Sequence, residues 1–265
     1  MPSPKVIFQP PSGVSSQVPG ADREALALGH IRVARIRTPP RMPSWALKVV
    51  MALTGALFAL FVFVHMIGNL KVFTGAAHFN EYAHWLRTVL QPFLPYEGLL
   101  WMLRIVLFGC LVAHVGAAGA LWVRGRASRG PHRRKGMRLG SFSARTMLLT
   151  GIMLLVFIVI HVLDLTTGTA LVAVESFRPA GPQEAHAYEN LIASLQRPLA
   201  AGFYMLAMLA LFLHLAHGLW TVVSDLGATG RRLRAVAYVA AGGVALTVTL
   251  GNIIIPVAVL MGVLK

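Results

Sequence analysis

The chain is poor in charged residues and in cysteine. Only 12% of its 265 residues are charged, against about 25% in an ordinary soluble domain, which excludes a soluble globular fold. The single cysteine, Cys110, excludes an intramolecular disulfide. It also excludes an iron–sulfur cluster held by this chain alone, because such clusters need more than one thiolate ligand. A redox centre in this chain would therefore need histidine ligands.

Long apolar runs take up most of the chain instead. Five stretches contain no Asp, Glu, Lys or Arg, and each is long enough to form a membrane helix of about 20 residues. They are Val49–Leu70, Ile105–Val123, Thr146–Leu163, Pro198–Ser224 and Ala235–Leu264. The second run extends back to about Gly98 and then contains Arg104, because the prolines just before it break any earlier helix. We therefore predict an all-α integral membrane protein, with a bundle of five transmembrane helices in residues 44–265 after a proline-rich segment, residues 1–43.

Basic residues are distributed unevenly between the loops. Of the 24 Lys and Arg residues, 18 lie in the N-terminal segment and the alternate loops that follow it, 5 lie in the other segments, and Arg104 lies inside the second run. The rule that basic loops stay in the cytoplasm places the N-terminus inside and the C-terminus outside. The same distribution is typical of contact with membrane lipids and argues against nucleic-acid binding. Each of the two outer loops has an amphipathic stretch, His78–Leu90 and Glu184–Leu195, that predicts an interfacial helix.

Four of the five apolar runs contain histidine, which is costly in hydrocarbon unless it is coordinated or hydrogen-bonded. His65 in the first run and His161 in the third lie 17 and 16 residues from Lys48 and Arg145, the nearest charges on the cytoplasmic side. At about 1.5 Å per residue, both lie about 25 Å from that edge. We call His65 and His161 the outer pair. Asp164 follows His161 on nearly the same face, and is either a proton or quinone contact or the polar end of the helix.

A second pair lies closer to the cytoplasmic side. His114 in the second run lies 10 residues before Arg124, and His214 in the fourth run lies 11 residues before Asp225. Both are therefore about 15 Å from the cytoplasmic edge. His217 would lie at about 12 Å, so His214 matches His114 better, with His217 as the alternative. We call His114 and His214 the inner pair.

Two histidine pairs at two depths predict two planar cofactors held between facing helices. The pattern favours haem b with two imidazole ligands, because the porphyrin supplies the other four nitrogen atoms. Zinc is disfavoured because no thiolate pair or carboxylate accompanies the histidines, and one cysteine excludes covalent haem attachment. Gly218, one turn after His214, gives room for such a ring. Arg104 is either a propionate partner of the outer haem or a side chain that extends to the outer interface beside Trp101.

These features resemble the cytochrome b membrane subunit of succinate dehydrogenase and fumarate reductase, in its single-chain, five-helix, two-haem bacterial form. The resemblance covers roughly residues 45–264. It rests on ligand histidines in the first four helices and none in the fifth, on the 49 residues from His65 to His114, and on His214-Leu-Ala-His-Gly218 followed by Asp225-Leu-Gly227. In that family the ligand of this helix is followed by glycine four and thirteen residues later, which His214 fits and His217 does not.

The resemblance implies a membrane anchor and electron-transfer subunit of succinate:quinone oxidoreductase in the bacterial cytoplasmic membrane. The implied partners are a cytoplasmic flavoprotein subunit and an iron–sulfur subunit, with menaquinone or another quinone as the lipid-soluble partner near the outer haem. The inner pair would hold the inner haem and the outer pair the outer haem, and this chain itself would bind no dicarboxylate. Phe212 stands where some members carry a glutamate that is thought to conduct protons, so a proton route through this helix is not implied.

Two other interpretations are open on the sequence alone. One is the di-haem cytochrome b anchor of another respiratory complex, of the nitrate reductase, formate dehydrogenase or hydrogenase type, which also pairs histidines on four helices. The other is a transporter that contains no haem and uses its histidines as proton relays. An optical spectrum separates the transporter from the cytochromes, and a co-purified subunit with covalent flavin separates the anchors.

Overall fold

The computed structural model describes residues 42–129, 140–227 and 230–265, and gives only the backbone for residues 129 and 140–145. These ranges contain seven α-helices, five long and two short, and no strand. A single 3₁₀ turn follows the first helix, and a π-helical segment, Leu163–Thr167, follows the fourth. The helices are Ser44–Leu70 (α1), Ala76–Thr88 (α2), Gly98–Arg129 (α3), Gly140–Val162 (α4), Ala187–Leu195 (α5), Pro198–Asp225 (α6) and Arg231–Leu260 (α7).

The five predicted membrane spans are confirmed, because α1, α3, α4, α6 and α7 are each long and apolar enough to cross a bilayer. Some helix ends differ from the charge-free runs. Helix α7 begins at Arg231, four residues before the run that starts at Ala235, and it ends at Leu260. Gly262, with a φ of 72°, turns the chain just beyond that end. A charge-free run marks the apolar part of a helix, whereas the backbone continues as helix into the region where charged side chains are solvated.

The long helices pack through small side chains. Helix α6 packs along α7, against α4 and against α1, while α1 also packs on α3 and α7. Ala201, Ala207, Ala241 and Ala245 are almost fully buried, which allows the helix backbones to approach closely. Within the described residues, α1 does not pack closely on α4, and α3 does not pack closely on α6. The two helices of each of these combinations therefore lie further apart than the helices that pack directly.

One end of the bundle is marked by an ion pair between α1 and α6. The Nζ atom of Lys48 lies 3.1 Å from Oδ1 of Asp225. Nearby, Arg124 of α3 donates a hydrogen bond to Oγ of Ser44 in α1 at 3.2 Å. Lys48, Arg124 and Asp225, which mark the cytoplasmic edge in the depth estimates from the sequence, thus lie at the same level of the bundle. We call this the Lys48 end.

The opposite end carries the two short helices. Both predicted amphipathic stretches are helical, as α2 and α5. Asn80 of α2 donates from Nδ2 to both carboxylate oxygens of Glu189 in α5, at 3.1 and 2.9 Å. It also accepts a hydrogen bond from the backbone N–H of Tyr188 at 2.8 Å, so the two short helices are tied together. We call this the Asp164 end, after a buried residue described below.

Two predicted features lie outside the described residues. They are the proline-rich segment, residues 1–43, of which only residues 42 and 43 are described, and the most basic part of the loop between α3 and α4. The division of the chain at residue 43 stays a prediction. So does the placement of the Lys48 end in the cytoplasm, which rests on the distribution of basic residues.

Candidate functional site

The outer pair joins α1 and α4. The ring centroids of His65 and His161 lie 6.0 Å apart, with the ring planes at 83°. Phe61 stacks on His65 at 5.4 Å, and Phe157 stacks on His161 at 5.5 Å, each from the preceding helical turn. The side chain of His65 is exposed, and that of His161 is partly buried.

The inner pair joins α3 and α6. The ring centroids of His114 and His214 lie 6.4 Å apart, with the ring planes at 55°. Phe58 of α1 packs edge-on against His114, with a centroid distance of 5.9 Å. The ring that meets His114 is that of His214, whereas His217 lies almost one turn further along α6. The structure therefore brings four histidines together in the two pairs that their depths predicted, and their role as ligands stays a prediction.

The spacing within each pair fits an iron atom between two imidazole ligands. A metal–imidazole bond is about 2 Å long and a ring nitrogen lies about 1 Å from its ring centroid, so two axial imidazoles place their centroids about 6 Å apart. The observed separations are 6.0 and 6.4 Å. The helices that carry each pair are not closely packed on each other along the described residues, which is the arrangement that a flat ring held between two helices requires. The residues present therefore fit haem, and haem at these pairs stays a prediction.

Each histidine of the inner pair is hydrogen-bonded to a buried threonine of a neighbouring helix. Oγ1 of Thr54 in α1 lies 2.9 Å from Nδ1 of His114, and Oγ1 of Thr150 in α4 lies 3.2 Å from Nδ1 of His214. Each hydroxyl also donates to the carbonyl four residues earlier in its own helix, at 2.6 and 2.9 Å respectively. A hydroxyl has a single hydrogen, and when that hydrogen donates to the backbone carbonyl, the oxygen accepts a hydrogen bond from the histidine. In that arrangement His114 and His214 carry their proton on Nδ1 and leave Nε2 free to bind a metal.

Sequence reasoning missed these threonines, although the signal is an internal repeat. Helices α1 and α4 share the spacing Thr-Gly-x5-Phe-x3-His, at Thr54, Gly55, Phe61 and His65 and at Thr150, Gly151, Phe157 and His161. In each helix the Thr-Gly step contacts the inner pair and the Phe-His step belongs to the outer pair. A Cβ atom on Gly55 would lie 3.4 Å from Cε1 of His114, and one on Gly151 would lie 3.5 Å from Cε1 of His214. Both distances are ordinary van der Waals contacts, so each glycine lies directly beside a histidine ring of the inner pair.

The two further predicted site residues, Arg104 and Gly218, have different surroundings. Nη1 of Arg104 lies 3.0 Å from Oε2 of Glu97, and its guanidinium lies over the Trp101 ring, 4.9 Å from the centroid. These contacts agree with the interfacial alternative for Arg104, and its role as a propionate partner stays a prediction. A Cβ atom on Gly218 would meet nothing within 4 Å, so Gly218 borders open space.

Asp164 forms a buried polar cluster beside the outer pair. Its side chain is 2% exposed, and it accepts hydrogen bonds from Oγ of Ser194, from Nη2 of Arg197 at 2.8 Å and from Oη of Tyr204 at 3.0 Å. The ring of Tyr204 packs against that of His161, with centroids 5.9 Å apart. The sequence placed Asp164 near His161 but gave no indication of its hydrogen-bond partners. These partners come from α5, from the turn between α5 and α6, and from α6 itself.

Comparisons of the chain with models of protein families, with curated proteins and with solved structures found no match. The interpretation of the site therefore rests on residue chemistry and geometry. Within the described residues, no group of three or more His, Cys, Asp or Glu side chains is arranged to hold a metal ion. A metal at either histidine pair would need most of its ligands from elsewhere, which a porphyrin supplies and a protein zinc site does not.

Proposed function

We propose that this chain is the cytochrome b membrane-anchor subunit of a succinate:quinone oxidoreductase, with one haem b at each histidine pair. The observation that carries the proposal is the meeting of four histidines from four helices in two pairs, each at the separation of two axial ligands. The helices that are paired, α3 with α6 and α1 with α4, are also those paired in the family that the sequence resembles.

The residues of the chain would hold and orient the haems, and each haem, when bound, supplies a one-electron carrier. At the inner pair, a threonine oxygen that accepts Nδ1–H would leave Nε2 of each histidine to bind the iron. The outer pair is backed by Phe61 and Phe157, which restrict rotation of the two rings. The apolar side chains of the five spans keep water away from both pairs, since hydrocarbon surrounds the bundle in a membrane.

The two ends of the bundle are suited to different partners. Arg231, Arg232 and Arg234 are exposed at the beginning of α7, where they add to the basic character of the Lys48 end. We assign the iron–sulfur and flavoprotein subunits to this end, because a basic surface attracts an acidic protein surface as well as anionic lipid. We assign menaquinone to the Asp164 end, because the outer pair lies there next to the hydrogen-bonding groups of Asp164 and Tyr204.

The proposal is tested by purifying the tagged chain from its native membrane and identifying the proteins that accompany it. We expect a subunit with covalent flavin and an iron–sulfur subunit, together with succinate-dependent reduction of quinone. His214→Ala should abolish quinone reduction while succinate oxidation by a soluble dye continues. His217→Ala is the matched control on the same helix and should retain quinone reduction.

Two results would count against this assignment in different ways. Accompanying subunits of a nitrate reductase, formate dehydrogenase or hydrogenase would reject the succinate assignment but keep the cytochrome. A purified chain without haem, which moves a solute across vesicle membranes, would instead support the transporter alternative.

A further inference from the structure

The two histidine pairs differ in how their Nδ1 atoms are bonded. In the inner pair, the Nδ1 atom of each histidine lies within hydrogen-bond distance of a threonine hydroxyl, at 2.9 and 3.2 Å. In the outer pair, Nδ1 of His161 is buried and has no hydrogen-bond partner among the described residues. Among the described residues, the hydrogen bonds between threonine and histidine are therefore found at the inner pair and not at the outer pair.

The threonines are themselves fixed in orientation. Thr54 is 9% exposed and Thr150 is 5% exposed, and both hydroxyls are hydrogen-bonded to the backbone of their own helices. Their oxygens therefore cannot turn away from the histidines without losing a buried hydrogen bond. The same spacing from Thr-Gly to His in α1 and α4 repeats this arrangement on both sides of the inner pair.

An acceptor on Nδ1–H has a definite effect on a ligating imidazole. It draws the proton outward, which makes Nε2 a more basic ligand. A more basic axial ligand stabilises the ferric state of a haem iron more than the ferrous state. The acceptor also fixes the plane of the ring about its bond to the metal.

We propose that Thr54 and Thr150 are positioning residues that fix the tautomer and ring orientation of His114 and His214, and thereby lower the reduction potential of the inner haem. This inference rests on the proposed function, since it requires haem at the inner pair. It assigns no direct contact between the threonines and a haem or a substrate. Their effect passes through the histidine rings alone.

The experiment is a redox titration and an EPR spectrum of the intact complex carrying Thr54→Val, Thr150→Val or both. Valine has nearly the same shape as threonine, with a methyl group in place of the hydroxyl. We expect the inner haem to become easier to reduce, with about a tenfold change in its ratio of reduced to oxidised forms at a fixed potential for the double variant. Its ferric low-spin EPR signal should shift as well, while the signals of the outer haem stay unchanged.

Two controls separate this effect from a general loss of packing. Thr54→Ser with Thr150→Ser keeps both hydroxyls and should restore the potential and the EPR signal. Thr249→Val removes a buried hydroxyl of α7 that has no hydrogen-bond partner among the described residues, and should change neither haem. If the valine variants lose the inner haem and the serine variants keep it, the positioning role is supported as well.

The inference and the proposed function fail in distinguishable ways. If the wild-type chain contains no haem, both the proposed function and this inference are contradicted. A wild-type chain with two haems whose valine variants leave both potentials and both EPR signals unchanged contradicts the inference alone. Loss of the inner haem in the valine and serine variants alike would also contradict it, because the hydroxyl would then not be the group that matters.

Discussion

The carboxylate of Asp164 lies 2.8 Å from the guanidinium of Arg197, at the end of the bundle where the two short helices pack together. Asp164 belongs to the π-helical segment after α4, and Arg197 immediately precedes α6. Arg197 also donates to the carbonyl of Val172 at 2.7 Å, in the loop between α4 and α5. This ion pair therefore ties together three separate parts of the chain beside the outer histidine pair.

The first prediction concerns the stability that Asp164 provides. Asp164→Ala leaves the Arg197 cation and the Tyr204 hydroxyl without their acceptor, and should cost about 3 kcal/mol of stability. Asp164→Asn keeps an acceptor and should cost less. The measurement is the midpoint of thermal unfolding of the purified protein in detergent.

The matched control is the ion pair of Lys48 and Asp225, at the Lys48 end. Asp225→Ala removes a carboxylate whose partner Lys48 is 54% exposed, so its loss should cost no more than about 1 kcal/mol. If the Asp164 and Asp225 variants unfold at the same temperature, the Asp164 cluster does not stabilise the bundle as described.

The second prediction concerns Gly168, which ends the π-helical segment with a φ of 65°. Gly168→Ala would place a Cβ atom against the ring of Phe177 and would hold a non-glycine residue in the left-handed region. We expect a loss of about 2 kcal/mol or more, read from the same thermal measurement. Gly181→Ala, in the same loop, meets nothing within 4 Å and should unfold like the wild type. Equal losses in both variants would show that the loop responds to any added methyl group.

The third prediction concerns the contact between the two short helices. Asn80→Asp places a carboxylate against that of Glu189, where Asn80 now donates two hydrogen bonds. The repulsion should raise amide hydrogen exchange in α5, measured by mass spectrometry near neutral pH. Adding Glu189→Gln supplies an amide donor to the new carboxylate and should restore protection. A double variant that exchanges as fast as Asn80→Asp alone would argue against a direct contact.

Different parts of the fold and of the site were accessible from the sequence for different reasons. The number of spans and the pairing of His65 with His161 followed from hydropathy and from the rise per residue, which are properties of each helix alone. The hydroxyl of Thr54 against His114 depends on the rotation of α1 about its axis, which depth does not specify. The Thr-Gly-x5-Phe-x3-His repeat carries that information, because equal spacing places equal groups on equal faces of α1 and α4.

Charged residues were harder to place than apolar ones. Arg104 was correctly located near the Asp164 end, but its contacts with Glu97 and Trp101 depend on the turn that precedes α3. Glu97 adopts a φ of 59°, which no pattern in the surrounding residues indicates. The surroundings of Asp164 were missed for the same reason, since its partners are brought in by the loop after α4 and by α5.

The fourth prediction separates the two histidine pairs. His65→Ala or His161→Ala should remove one haem signal, and His114→Ala or His214→Ala should remove the other, because under the proposed function each pair would supply both protein ligands of one iron. The readout is the EPR spectrum of the ferric protein together with haem content per chain. His217→Ala, almost one turn from His214, should keep both signals. Loss of the same signal in His65→Ala and His114→Ala would mean that the pairs are wrongly assigned.

The most direct test of the account is the haem content of the purified wild-type chain. We expect two non-covalent b-type haems per chain by the pyridine haemochromogen assay, and a Soret band that shifts when dithionite is added to the oxidised protein. A purified, correctly folded chain with no Soret band would contradict the central claim that the histidine pairs hold haem.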